Sequence, residues 1–209
     1  LSDSSRPLSK TSSVCDFFRV DRIRKNLAAL LGLLIAAAAF GADKAPELQD
    51  IHGKTFAPLS AGDRKATVLV FVSPFCPTSN TFTPEVNDIA AKYGDRFSFY
   101  FVEADAEISP TDAKKHADTF EMKAPVLLDP KQVLARRTGA KTTPEAVVIG
   151  PAGETLYQGR INDLYATPTR KLKEPKTHDL RVALDAIAAG RPVEVPATKA
   201  IGCSITLTP

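Results

Sequence analysis

The 209-residue sequence has no hydrophobic run long enough to cross a membrane as a helix. The longest, Leu27 to Ile35 followed by Ala36 to Ala39, amounts to about 14 apolar residues, short of the roughly 20 that a spanning helix needs. Cysteine is scarce at three residues, Cys15, Cys76 and Cys203, which excludes a dense disulfide framework. Histidine is equally scarce, and His52, His116 and His178 are scattered rather than set at metal-ligand spacing. There is no excess of basic charge outside the first 41 residues. That stretch holds six of the 27 Lys and Arg and three of the 24 Asp and Glu, which leaves the remainder with 21 of each. Nothing in such a balance points to nucleic acid as a partner.

What the beginning does contain is a pattern. Arg6, Lys10, Arg19, Arg22, Arg24 and Lys25 precede the apolar stretch, and Ala39-Phe40-Gly41 supplies small residues at its exit. A basic flank, a short apolar core and a small-residue exit form a secretory signal, with cleavage expected after Gly41 and an uncleaved anchor as the alternative. The sequence opens on Leu1 and its one methionine is Met122, so Leu1 is read as either the remnant of a longer chain or an uncertain start. The expected organisation is a targeting segment at 1–41, a folded domain at 42–190 and a tail at 191–209 that carries Cys203. The protein is expected to be exported, periplasmic or extracellular. At 44% hydrophobic and 24% charged residues, its composition is that of a globular domain.

The pattern along the domain alternates between strand and helix periods. Residues 45–60 read as a short hairpin, and the β-branched run 67–72 as a strand buried on both faces. The turn after it opens a helix near Cys76, with a helical period running from Thr83-Pro84-Glu85 to Gly94. Strands are expected at 96–102, 125–129, 146–149 and 154–159, the last two joined as an antiparallel hairpin. Ser109 and Pro110 open a helix to Phe120, Gln132 to Thr138 form a short one, and Thr177 caps a final helix closed by Gly190 and Pro192. Residues 161–176 read as a basic loop, in which Arg170 to Lys173 are a solvated charge run. Together these elements define an α/β sheet covered by helices on both faces.

Cys76 lies in Ser73-Pro74-Phe75-Cys76-Pro77-Thr78-Ser79-Asn80, between the buried strand and a helix N-terminus. Unpaired N–H groups and the positive end of the helix dipole favour a thiolate there, which makes Cys76 a candidate nucleophile. Ser73, Thr78 and Ser79 are nearby hydroxyls, read first as turn or cap residues. Cys203, 127 residues further on, is a candidate second thiol that could serve in redox exchange, in a static disulfide or independently.

Phe75-Cys76-Pro77-Thr78 after a strand, Thr142-Thr143-Pro144-Glu145 before a second apolar strand, and the turn Gly150-Pro151-Ala152-Gly153-Glu154 together resemble the thioredoxin-like superfamily. Within it, the chain is similar to redoxins of the alkyl hydroperoxide reductase and thiol-specific antioxidant (peroxiredoxin) type, over roughly residues 45–190. The resemblance implies a thioredoxin-like α/β fold with a central mixed sheet, and a cis Thr143–Pro144 bond facing Cys76. It also implies a thiol-dependent oxidoreductase in which Cys76 attacks a peroxide or a disulfide and Cys203 resolves the product. Ser73, Pro77, Thr78, Thr143 and Pro144 would line the substrate groove. The expected partners are a thiol reductant protein and, as in some peroxiredoxins, a second copy of the chain. No cofactor is expected.

Two departures bear on subclass. Thioredoxins have a second cysteine where Ser79 stands, and peroxiredoxins have a proline and a threonine where Leu69 and Ser73 stand. Ser73 could supply the threonine's hydroxyl. Peroxiredoxins also use an arginine at the site; Arg160 is read instead as a surface residue paired with Asp163 or solvent. The alternative to an enzyme is a copper-binding module in which Cys76 and a histidine act as ligands. In that comparison His116 reads as a solvated helix residue, with His52 in a turn and His178 in a first helical turn.

Overall fold

The computed structural model describes residues 45–209, and the expected targeting segment at 1–41 lies outside them. Fifteen elements follow one another along the described chain. They are β1 (Leu48–Gln49), β2 (Thr55–Phe56), β3 (Ala66–Val72), α1 (Pro77–Tyr93), β4 (Phe97–Glu103), α2 (Pro110–Thr119), β5 (Val126–Leu128), α3 (Val133–Thr138), β6 (Thr142–Thr143), β7 (Glu145–Ile149), β8 (Thr155–Gly159), β9 (Tyr165–Thr167), β10 (Arg170–Lys171), α4 (Asp179–Ala188) and β11 (Cys203–Ser204).

The run Ala66–Val72 is buried at all seven positions because it is the middle strand of a five-stranded mixed sheet ordered β5-β4-β3-β7-β8. β3 pairs parallel with β4 and antiparallel with β7. Strand side chains alternate between faces, so the run supplies two cores at once. Ala66, Val68, Val70 and Val72 pack with Phe82, Val86, Ile89 and Tyr93 of α1 and with Leu180, Ala183 and Leu184 of α4. Leu69 and Phe71 face the other way, against Leu134 and Ala135 of α3 and Leu48 of β1. Helices therefore cover both faces, as expected. Each fully buried leucine or phenylalanine contributes roughly 2 kcal/mol. Polar ties across the first helical layer add direction: Arg181 of α4 forks onto Glu85 of α1 at 2.8 and 3.0 Å, and the Tyr93 hydroxyl donates to Asp185 at 2.7 Å.

The structure corrects the expected elements in three places. The helix expected to open near Cys76 and the helical period from Thr83 are one continuous helix that begins at Pro77, and Pro84 sits inside it. The position suited to proline at the start of a helix is taken by Pro77, while Pro84 withholds an N–H from the carbonyl four residues back. Thr177 does not cap α4. Its hydroxyl donates to Asp179 at 2.9 Å, and His178 occupies the cap position with no side-chain hydrogen bond. The basic stretch 161–176 holds the small hairpin β9–β10, in which Lys171 lies 5.9 Å from the Tyr165 ring.

Residues 191–209 run back over the domain as a strap. Along the β8 edge, Gln158 N–H donates to the Pro196 carbonyl at 2.9 Å and Thr198 N–H donates to the Gln158 carbonyl at 3.0 Å. The strap lies so close to Gly159 that a Cβ there would meet Thr198 Oγ1 at 2.2 Å. The Thr198 hydroxyl also pairs with that of buried Tyr157 at 2.7 Å, and burial pushes the Tyr157 phenol up to about 12. Further on, β11 pairs antiparallel with β6, placing Cys203 opposite Thr143 and Ser204 opposite Thr142.

The short helix α3 depends on a side chain that precedes it. Asp129 is 1% exposed, and its carboxylate accepts from the N–H groups of Val133 (2.7 Å), Leu134 (2.9 Å) and Ala135 (3.1 Å). Those donors have no partner within the helix. Asp129→Ala strands all three, and urea denaturation should register a loss of about 3 kcal/mol.

Candidate active site

Cys76 is the N-cap residue of α1, in extended backbone, and its sulfur accepts from Ser79 N–H at 3.4 Å. The turn before it is tied by hydroxyls: Ser73 Oγ accepts from Phe75 N–H and Ser79 Oγ from Ser73 N–H, both at 3.3 Å. Ser73 and Ser79 thus shape the turn. Thr78 is buried in the first turn of the helix and Pro77 is its first residue. Across from the sulfur, the Thr143–Pro144 bond is cis and the Thr143 carbonyl lies 3.0 Å from Cys76 Sγ, accepting from the thiol form.

The strap closes the site. Cys203 is exposed and Cys76 has no exposed surface, both are free thiols, and the strap sets Cys203 opposite Thr143, whose carbonyl lies 3.0 Å from Cys76 Sγ. The approach depends on Gly202. A Cβ at that position would come within 2.0 Å of the Thr143 carbonyl oxygen and 3.1 Å of Pro144 Cδ, so no larger residue lets β11 lie flat on β6.

Electrostatics separate the two thiols. Burial alone pushes Cys76 up, but hydrogen bonds from the Cys203 thiol, Ser79 N–H, the Thr143 side chain and Cys203 N–H together outweigh it, leaving Cys76 below the ordinary thiol value. Cys203 is driven the other way, to about 11, by burial and then by its hydrogen bond to Cys76 and that sulfur's charge. The surroundings thus favour the thiolate at Cys76 and the protonated thiol at Cys203. Beside the pair lies a cleft of about 230 Å³, lined by Val72, Ser73, Phe75, Ala104, Asp105, Thr143 and the strap residues Cys203 to Thr206. Ser73 and Thr143 of the expected groove residues reach this lining; Pro77, Thr78 and Pro144 do not. Phe75, which the sequence reading passed over, projects beside it with 73% of its surface exposed.

His116 is the clearest correction. It is buried, not solvated, with Nδ1 2.5 Å from Glu103 Oε1 and Nε2 2.7 Å from Asn80 Oδ1. Asn80 Nδ2 donates to the Pro74 carbonyl at 3.2 Å, which turns its oxygen toward His116. Nε2 must then carry hydrogen, and the short Nδ1–Oε1 contact holds one further proton between acid and base. Burial raises the Glu103 carboxyl against the pull of His116, and its second oxygen is buried without a partner. This chain links the end of β4, through α2, to the turn that carries Cys76. With both ring nitrogens engaged, His116 is no ligand for a metal at Cys76. His52 donates its N–H to Asp50 in a turn, and His178 lies 3.9 Å from Glu85. Arg160, expected to pair with Asp163 or solvent, forks onto Asp179 at 2.9 and 3.1 Å.

A cysteine capping a helix after the central strand, opposite a cis threonine–proline turn, defines a thioredoxin-like site. The thioredoxin-like family model matches residues 63–155, which include Cys76 and Thr143-Pro144 and end before the strap. A conserved protein of Geobacillus kaustophilus is 30% identical over 79% of this chain and 90% of its own, with a TM-score of 0.68. A protein of Sinorhizobium meliloti 1021 is 25% identical over 78% of this chain and 92% of its own, with a TM-score of 0.67. A secreted Mycobacterium tuberculosis disulfide oxidoreductase shares the fold at 20% identity over 71% of this chain and 99% of its own, with a TM-score of 0.51. No curated protein matches the chain. The chain belongs to the thioredoxin-like superfamily.

Two measurements test this geometry. The pH dependence of Cys76 alkylation should have its midpoint below the ordinary thiol value of about 8.5. In Cys203→Ala, which removes the thiol donor, that midpoint should move up even as access improves. For the buried chain, Glu103→Ala should cost about 3 kcal/mol in urea denaturation, because it leaves His116 buried beside an empty site. Glu103→Gln, which still offers an N–H to Nδ1, should cost only about 1 kcal/mol.

Proposed function

We propose that the protein is a two-cysteine thiol–disulfide oxidoreductase in which Cys76 is the nucleophile and Cys203 resolves. The observation that carries the reading is the strap's register on β6, which sets Cys203 opposite Thr143 and so beside the helix-capping Cys76, with one thiol lowered and the other raised in pKa. The Cys76 thiolate attacks a substrate disulfide, forming a mixed disulfide and releasing one substrate thiolate, which takes a proton from water. Capture of Cys76 removes the charge that helps hold the Cys203 proton. Cys203 then loses its proton and attacks Cys76 Sγ, and the Cys76–Cys203 disulfide forms as the second substrate thiolate leaves. Two electrons pass from the pair to the substrate, and a thiol reductant protein returns them by the same exchange in reverse. Both thiols come from one chain, so resolution needs no second copy.

A disulfide is favoured over a peroxide as substrate by the cleft. Asp105 is the one charged residue among those lining it, so no arginine or lysine stands there to polarise an O–O bond. Leu69 in place of the peroxiredoxin proline agrees. Binding of copper through a histidine has no support, since none of the three histidines lines the cleft. Export is supported by the basic and apolar pattern of residues 6–39, and by the secreted relative that shares the fold. Among the described residues no helix is long and apolar enough to cross a membrane.

Reduced protein mixed with oxidised glutathione, then acid-quenched and mapped by mass spectrometry, should yield the Cys76–Cys203 disulfide. Cys203→Ser should accumulate a Cys76–glutathione adduct, and Cys76→Ser should fall to the uncatalysed exchange rate. A Cys76→Ser protein that retained exchange activity would sink the reading. Faster oxidation by stoichiometric hydrogen peroxide than by any disulfide tested would move the substrate class to peroxides.

A further inference from the structure

We infer that Gln132 is a positioning residue that latches the Cys203 strap and thereby sets how often Cys203 meets Cys76; the inference rests on the two-cysteine reading above. Gln132 stands just before α3 with a positive φ of 55°, and its side chain is 1% exposed, an unusual place for a long amide. Its contacts explain the burial. Nε2 donates to the Thr206 carbonyl at 2.7 Å and to the Ala104 carbonyl at 3.1 Å, while Oε1 accepts from Thr208 N–H at 2.7 Å and from the Thr208 hydroxyl at 3.2 Å. Toward the strap, the amide presents one donor and one acceptor to alternate residues of an extended chain, as a neighbouring strand would. Its remaining donor goes to the carbonyl of Ala104, which also lines the cleft.

Few other polar contacts hold this end of the strap. Ile205 N–H donates to the Lys141 carbonyl at 2.8 Å, and the Arg136 guanidinium donates to the Thr208 carbonyl. β11 itself has only two paired residues, and Cys203, Ser204, Thr206, Leu207 and Thr208 are all exposed. A two-residue strand without flanking anchors is marginal. Gln132 meets the strap three to five residues beyond Cys203, close enough to restrict where that thiol can go. Rigid placement of a second thiol raises its effective concentration, and loosening the strap lowers it.

The test uses the full chain in three variants, Gln132→Ala, Thr208→Pro and the double variant. Thr208→Pro removes the N–H and hydroxyl that meet Oε1 at an exposed position, so it reports on the latch even where Gln132→Ala perturbs α3. The first readout is the equilibrium between the Cys76–Cys203 disulfide and glutathione, and the second is the rate of Cys76 alkylation in the reduced protein. Each single variant should weaken the intramolecular disulfide about tenfold and speed alkylation by a similar factor, and the double variant should do little more than either, because both break one interaction. Wild-type protein that forms no such disulfide at any glutathione ratio overturns the two-cysteine reading, and the inference about Cys203 with it. A wild-type disulfide that Gln132→Ala and Thr208→Pro leave unchanged in both readouts overturns the latch alone.

Discussion

Everything at this site depends on the close approach of two backbones, at Gly202 and at the cis turn Thr143–Pro144. Were the strap held off by one side chain, Cys203 could not lie opposite Thr143, and Cys76 would keep the helix N-terminus but lose its thiol donor and one main-chain N–H. Burying a thiolate is unfavourable unless hydrogen bonds replace water. Here the replacements come from three places far apart in sequence: the first turn of α1, the turn before β7, and the strap. Thioredoxins place both thiols within one helical turn, where helix geometry fixes their separation. In this chain Ser79 fills that second position and completes the turn through its hydroxyl, so the separation of the thiols is set by tertiary packing.

The strands of the central sheet and most helices were legible in the sequence because each is written in consecutive residues, whereas the cis turn at Thr143–Pro144 was implied by the resemblance and β6, β9, β10 and β11 were not foreseen. A β-branched run can be read without knowing its neighbours, as can Ser109-Pro110 at a helix start or a turn of Gly, Pro and Gly between two apolar segments. The helical period was read only from Thr83-Pro84-Glu85 onward, whereas α1 runs unbroken from Pro77 and carries Pro84 internally without losing its apolar face. His116 misled for a different reason. Its own helix is rich in charge, and its burial is decided by Glu103 and Asn80, which belong to other elements. Gln132 and Asp129 gave no local signal of their roles, since each acts on backbone groups whose positions only the fold supplies. Cys203 was legible as a candidate by its chemistry; its place beside Cys76 was not, although Gly202 in front of it is the residue that permits the approach.

Two polar systems flank the Cys76 turn, and they start from adjacent residues. Glu103 ends β4 and reaches through His116 and Asn80 to the Pro74 carbonyl, while the carbonyl of Ala104, the next residue, accepts from Gln132. The first runs through side chains of β4, α2 and α1 before it meets the Pro74 carbonyl, and breaking it leaves the buried Glu103 and His116 without partners. The second ends on the main chain of an exposed strap, where water can take over the released groups at little cost. Unequal costs of opening divide the site into a fixed half and a movable half.

That division suits thiol–disulfide exchange. A substrate disulfide cannot reach a sulfur with no exposed surface while the strap lies across it, so under the proposed two-cysteine reading the strap lifts before Cys76 attacks and returns before Cys203 resolves. On that reading Cys76 stays in place with its helix cap in the fixed half, and it gives up the strap's share of its stabilisation when the strap lifts and regains it on return. On the same reading Cys203 moves, and it sits on the segment held by the cheaper contacts. Placing the second cysteine on a strap, instead of one turn along the helix, thus lets one thiol travel while the other keeps its helix cap.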